Sequence, residues 1–350
     1  MPKQTRLISI LAIMLLLGCT KAKPEAQSTQ VEEAKAPAPK AEKKELVVYS
    51  GRSAKLVDPL FWKFEEKTGI KVKVRSGKSD ALANRIAMEG EKSEADLIFL
   101  QESGYLEVLG KKGLLASLTE TQVESVPREY RGSDNFWVGV SGRARVLVYA
   151  SDSLKPEDLP QSLEALADPK WKGQVGWAPT NASFEAHVSA LRHLWGEEKT
   201  KTWLSNMQGI EPKKYPKNSP QVRAVANGEI KIGWVNHYYL LRQKAAEPNL
   251  KAANFSFPTD QDPGNIMMLS GVAIVKTSKK RKAADALIQF LLSEDAQNHL
   301  TQKNFEYPAV KGIKVGPELE GLATKLSLVS QDRLTDIAGT QSLLQSLGLR

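Results

Sequence analysis

Between Glu45 and Leu100 three short β-rich runs alternate with two helical stretches, and this order constrains the fold more than any other feature of the chain. ELVVYS precedes a stretch from Lys55 to Thr68 in which Leu56, Leu60 and Phe64 recur at four-residue spacing, closed by Gly69. IKVKVRS precedes a second helical stretch near Ser79–Met88, closed by Gly90, and ADLIFL follows. A β-α-β-α-β order makes each helix a crossover, so the expectation is a mostly parallel sheet covered by helices. A second set begins at GQVGWAP and continues through a helix Phe184–Trp195, with Phe184, Val188, Leu191 and Trp195 on one stripe and Gly196 ending it. Ser219 is expected to cap a further helix, with Pro220 at its first position and Gly228 past its end, before IKIGWVN.

The long run Phe136–Tyr149 and the later MMLSGVAIVK are expected to be two strands crossing between two lobes. A last helix from Arg281 to Leu300 is expected to return to the first lobe. The chain thus reads as residues 45–141 with about 267–305 in one lobe and 142–266 with about 306–350 in the other. There is no internal repeat.

The N-terminus sets the location. Lys3 and Arg6 precede an apolar run of eleven residues, Leu7–Leu17. A membrane-spanning helix needs about 20 apolar residues, so residues 1–18 read as a signal peptide. The run ends in Leu16-Leu17-Gly18-Cys19, which resembles the bacterial lipobox and implies cleavage before Cys19 and lipidation of its thiol. Cys19 is the only cysteine, so the mature chain has no disulfide. From Thr20 to Lys44 the chain is Ala, Pro, Lys, Glu and Gln with almost no large apolar residue; with Cys19 it reads as a lipidated, disordered tether. The net charge of +9 does not imply nucleic acid, because the lysines are scattered and no basic-aromatic stripe exists. Nor is there a nucleophile elbow, a phosphate-binding glycine loop or a zinc-type histidine spacing, so no enzyme chemistry is indicated.

NHYYLLR, Asn236–Arg242, lies just past the strand-like IKIGWV, where two adjacent tyrosines are free to aim their hydroxyls at one point. Together with VVYSGRSAKLVDPLFWKFEEKTGIKVKVR, ADLIFLQESGYLEVLGKKGLLASL, WVGVSGRARVLVYASDSL, DPKWKGQVGWAPTNASF, the run from YPKNSPQVRAVANGE to HYYLLR, and EYPAVKGI, this segment resembles the periplasmic ferric-ion-binding proteins. The resemblance runs from Glu45 to at least Gly312. It implies a two-lobed type II periplasmic-binding fold and capture of ferric ion as cargo for an inner-membrane ABC permease and its ATPase, by a monomer held to the membrane only through its lipid. The chemistry agrees: ferric ion is a hard acceptor that favours anionic oxygen, and a bound metal can hold a phenol deprotonated. Tyr238 and Tyr239 are the implied metal ligands.

The sequence departs from the family's pattern elsewhere. The position of a family histidine after the first strand is Ser53, that of a family acid is Gln101 with Glu102 beside it, and that of a further family tyrosine is Asn181. Ser53, Gln101 and Glu102 are therefore only additional candidates, and Glu102 reads as a solvated loop carboxylate. Two phenolates leave ferric ion one charge short of neutral, so an exogenous anion, carbonate above all, is implied. The matching positions are Arg52 and Arg143 for carbonate, and the turn Asn181-Ala182-Ser183 for phosphate, with Asn218 and Asn236 in support; a guanidinium suits a planar oxyanion. His237 is expected to aim away from the tyrosines, and Tyr215 to pack at its loop. The rival reading is a receptor for a sugar, polyamine or small oxyanion, with Trp177 and Trp234 as aromatic platforms.

Overall fold

The computed structural model describes residues 45–259, 262–323, 327–329 and 334–350. The signal peptide, Cys19 and tether expected in residues 1–44 lie outside the described residues. The opening alternation forms β1 (Glu45–Ser50), α1 (Ala54–Thr68), β2 (Lys71–Ser76), α2 (Ser79–Glu89) and β3 (Leu97–Leu100). β1 pairs in parallel with β2 on one side and β3 on the other. Gly69 ends α1 in the left-handed conformation, φ 69°, where its N–H donates to Glu65 O; a β-carbon there would be strained. Next come α3 (Gly104–Lys111), β4 (Leu115–Ala116), α4 (Glu120–Val123) and β5 (Val138–Tyr149).

β5 belongs to two sheets. Its first half, to Ala144, pairs antiparallel with β10 (Ile266–Val275), which pairs antiparallel with β3. Its second half, from Arg145, pairs antiparallel with β8 (Ile232–Asn236) and β9 (Ala253–Phe255). β8 runs parallel to β6 (Val175–Trp177), and β6 to β7 (Lys213–Lys214). The order is β2-β1-β3-β10-β5-β8-β6-β7, a sheet in each lobe that mixes parallel and antiparallel pairs rather than the mostly parallel one expected, because β5 and β10 run against their neighbours, and β5 runs through both. The second crossing is the chain between β9 in one sheet and β10 in the other; MMLSGVAIVK itself pairs only with first-sheet strands. β3 and β8 are buried along their whole lengths, as strands covered on both faces must be.

The helices of the second lobe are α5 (Ala182–Trp195), α6 (Glu197–Gly209), α7 (Asn218–Ala226) and α8 (Tyr238–Ala246). α7 starts before the expected Ser219 cap: Asn218 is already helical, and its side chain is turned into a buried polar cluster instead of capping the helix. The remaining elements are α9 (Arg281–Leu291), α10 (Glu294–Gln302), β11 (Tyr307–Pro308), α11 (Pro317–Ala323), β12 (Ser327–Leu328) and α12 (Ile337–Ser346). The single helix expected from Arg281 to Leu300 is thus two. Ser293 breaks it by accepting from Ala296 N as an N-cap, with Glu294 and Asp295 in the new first turn. On α9, Leu287, Ile288 and Leu291 are buried in the first-lobe core, each contributing roughly 1.5–3 kcal/mol of burial. Residues 306–350, expected in the second lobe, divide: β11 and β12 pair with β5 and β10 in the first sheet, while Leu343 and Leu344 of α12 join the second-lobe core.

Trp177 and Trp234 are wholly buried in that core, edge-on to Phe184 at 5.6 and 5.1 Å. They are therefore not platforms for a ligand. They pack because β6 and β8 are interior strands whose inward side chains meet α5.

Candidate metal centre

β8 ends at Asn236, and His237 turns the chain into α8. His237 is fully buried; its Nδ1 accepts from Ala144 N–H at 3.0 Å and its Nε2–H donates to Phe305 O at 2.6 Å. That tautomer is neutral, and burial lowers the pKa to about 4. The imidazole fastens the turn and is spoken for at both nitrogens.

Tyr238 and Tyr239 are the first two residues of α8. Neighbours on a helix are turned by about 100° rather than the 180° of a strand, so both rings leave on the same side, stacked with centroids 4.3 Å apart and planes 29° apart. Both line a cleft of about 540 Å³, together with Ser53, Gln101 and Asn181. Tyr238 is 2 % exposed and Tyr239 half-buried. Burial, then the neighbouring Tyr239, raises the Tyr238 phenol pKa well above its ordinary value, while the charges of Arg52 and Arg143 act the other way. Without a ligand the phenol is neutral, so any cation bound through it would have to displace its proton.

Arg52 and Arg143 lie behind the cleft rather than in its wall. Arg52, 3 % exposed in the loop after β1, donates from Nη2 to Glu306 Oε1. Glu306 also accepts from Ser141, whose hydroxyl is 2.8 Å from that of Ser270. Burial opposes the charge of Arg52, but Glu306 and the other negative groups outweigh it and raise its pKa. Arg143, on β5, donates from Nη2 to Gln101 O; burial lowers its pKa. Each guanidinium keeps Nε and Nη1 without a protein partner, an orphaned pair of buried donors that suits an incoming oxyanion. Glu102 is not the solvated carboxylate expected: it is 5 % exposed, and burial raises its pKa while Arg143 opposes the rise. It lines a separate, smaller cavity with Ala182 and Tyr105.

The asparagines serve a different arginine. Arg145 Nη1 is 3.3 Å from Asn218 Oδ1, 3.2 Å from Asn236 Oδ1 and 3.5 Å from Ser183 Oγ, and Nη2 donates to Trp234 O at 2.9 Å. Burial lowers its pKa to about 9. Asn181 caps α5 by accepting from Ser183 N–H at 3.1 Å and from Ser183 Oγ–H at 2.6 Å. The Asn181-Ala182-Ser183 turn therefore spends its Ser183 donors within the protein. Tyr215 stands apart, its hydroxyl donating to Glu229 Oε1 at 2.7 Å.

Sequence reasoning passed over Arg145 and Glu306. The spacing of Arg143 and Arg145, two residues apart on a strand and so on one face, was the available signal for the first. No local signal marks Glu306, which is 254 positions from Arg52. Among the described residues no group of three or more His, Cys, Asp or Glu could hold a metal ion.

Residues 93–333 match the family of bacterial extracellular solute-binding proteins. The chain is 33% identical over 315 residues to the major ferric iron-binding protein of Neisseria meningitidis, covering 87% of this chain and 93% of that one. Its fold is similar to iron-bound HitA from Pseudomonas aeruginosa, with a TM-score of 0.82 and 33% identity over 87% of this chain and 99% of that chain. A Trichodesmium protein in complex with iron and citrate ligands matches with a TM-score of 0.73 and 27% identity, over 87% and 100% of the two chains. The chain belongs to the bacterial extracellular solute-binding protein family, where its relatives include ferric-iron-binding proteins.

Proposed function

We propose that this protein captures ferric ion in the cleft between its lobes and hands it to an ABC permease and its ATPase, without catalysis of its own. The observation that carries the reading is the stacked pair Tyr238–Tyr239 at the start of α8, facing a cleft. Two phenolates suit a hard trivalent cation and leave it one positive charge. An exogenous oxyanion, carbonate being the simplest, completes the shell beside Arg52 and Arg143, whose unpartnered N–H groups are its donors. Arg145 with Ser183, Asn218 and Asn236 backs the second-lobe wall from which Asn181 faces the cleft. Ser53 and Gln101 line the cleft as neutral oxygen donors. The two lobes close on the ligand about the β5 and β9–β10 crossings, by the hinge motion common in proteins that enclose ligands. A lipid on Cys19 holds the protein, a monomer, on the extracytoplasmic face of a membrane, with the tether giving reach; among the described residues no helix is long and apolar enough to cross one.

Titration with a ferric salt in bicarbonate tests this. Binding should produce a visible phenolate-to-iron absorbance band, and excluding carbonate and other oxyanions should weaken binding at least tenfold, about 1.4 kcal/mol. A colourless protein, or one indifferent to ferric salt, would refute the reading.

A further inference from the structure

Consecutive residues on each side of the interlobe space line different cavities. Gln101 lines the tyrosine cleft and Glu102 a second cavity; Asn181 lines the cleft and Ala182 that second cavity. The turns before α3 and α5 therefore stand as a ridge between two spaces. On the tyrosine side the space is about 540 Å³. On the far side it is about 20 Å³, room for about one water, so there the lobes are all but shut. Met268 and Leu269 of β10, the strand that receives the second crossing, form part of its wall. The far side thus lies at the hinge.

The C-terminal segment seals that far side. α12 is built into the second lobe: Leu343 and Leu344 are core residues, Thr340 and Ser189 share a hydrogen bond at 2.7 Å, and Gln208 donates to Leu347 O at 2.9 Å. From there the segment reaches the first lobe at two points. Arg350 donates to Asp80 Oδ2 on α2 at 3.3 Å while also pairing with Glu185 on α5. Leu334 O lies 2.9 Å from where a β-carbon on Gly104 would stand, a close approach that glycine permits. Both helices lead on to the cleft. Gln101 N–H donates to Ser79 Oγ, beside Asp80, at 3.3 Å, and Glu185 N–H donates to Asn181 O at 3.1 Å.

A rotation that narrows the tyrosine cleft widens the far side, because the ridge stands between the two. We propose that the C-terminal segment is a strap that holds the empty cleft open. Closure has to part Arg350 from Asp80 and lift Leu334 away from Gly104. The strap thereby keeps the closed form a minor one, and apparent affinity for whatever the cleft encloses falls with the population of that form. Its contacts suit a device that yields: the anchor in the second lobe is apolar and buried, whereas the arm to the first lobe is one partly solvated ion pair and one backbone contact.

Two variants relax the strap by different means. Asp80→Ala removes the acceptor in the first lobe and leaves Arg350 with Glu185. Gly104→Ala sets a methyl group against Leu334 O and wedges the strap off the first lobe. Spin labels on α1 and α7, on opposite sides of the tyrosine cleft, report the lobe separation of the iron-free full chain. A ferric titration in bicarbonate, followed by the phenolate–iron band, reports affinity. Both variants should shift the iron-free distances toward shorter values, bind ferric ion at least about threefold more tightly, and keep the circular dichroism of the wild type. Distances unchanged or lengthened in either variant, or shorter distances with no gain in affinity, would overturn the strap. Only the affinity arm rests on the iron reading above. A wild type that never colours would refute that reading, and the distances would still decide the strap.

Discussion

At the residue scale, Tyr238 and Tyr239 differ from the charged groups behind them in what they cost the fold. A phenylalanine in place of either keeps the ring and its stacking and removes only a hydroxyl. Tyr238→Phe or Tyr239→Phe should leave the iron-free melting temperature within about 1–2 °C while cutting ferric affinity by tenfold or more and weakening the visible band. Unchanged absorbance in the double variant would show that other groups bind the metal. Glu306 is the opposite case. It and Arg52 form an ion pair whose side chains are both 0 % exposed, and removing one partner of such a pair typically costs about 3–5 kcal/mol because the other charge is stranded. Glu306→Gln should therefore lower the unfolding free energy of the iron-free protein, read from urea denaturation, by an amount of that order. A loss below about 1 kcal/mol would mean that water reaches Arg52 and stands in for the carboxylate.

At the element scale, the break between α9 and α10 is set by Ser293, whose side chain accepts from Ala296 N–H. Ser293→Ala should cost about 1 kcal/mol without joining the helices, because the chain has already turned there; thermal denaturation of the variant checks this. α5 carries a pH-sensitive group as well. His187 is wholly buried against Trp234, its Nε2–H donating to Pro263 O at 2.7 Å, and burial lowers its pKa to about 3. The unfolded chain protonates this histidine near pH 6.5, and the folded chain does not until about pH 3. Its contribution to stability is therefore complete above about pH 6.5 and is lost progressively as the pH falls toward 3, by at most about 1.4 kcal/mol per pH unit. His187→Gln, which keeps a donor but cannot titrate, should flatten the fall in urea midpoint between pH 7 and pH 5. Parallel curves for variant and wild type would show that other groups dominate the acid limb.

At the scale of the whole molecule, Arg350 ties the lobes together away from the tyrosines. Its guanidinium pairs with Glu185 on α5 and, at 3.3 Å, with Asp80 on α2, and these helices belong to different lobes. The Arg350–Asp80 pair is partly solvated and contributes little to stability, about 0–1 kcal/mol, whereas the Glu185 side chain is buried; the position of both pairs lets them bias the hinge. Arg350→Ala should lower the melting temperature, because it strands the buried Glu185 carboxylate, and broaden the distance distribution between spin labels on α2 and α5 in the iron-free protein. An identical distribution would assign Arg350 no part in lobe motion.

The order β-α-β-α-β, the glycines that end the helices, and the paired tyrosines are local, and each was legible in the residues alone. A backbone forced to positive φ at Gly69, or two phenols on consecutive residues, is a property of a few adjacent positions. The sites behind the cleft are not local. Arg52 meets Glu306 across 254 positions, and Arg145 gathers Ser183, Asn218 and Asn236 from three separate segments. Residue type alone, a carboxylate at Glu102 and aromatic rings at Trp177 and Trp234, made the first look solvated and the other two look available to a ligand. Only the packing of two sheets around one shared strand decided that all three are buried, because burial depends on what the rest of the chain brings against a residue and not on the residue itself.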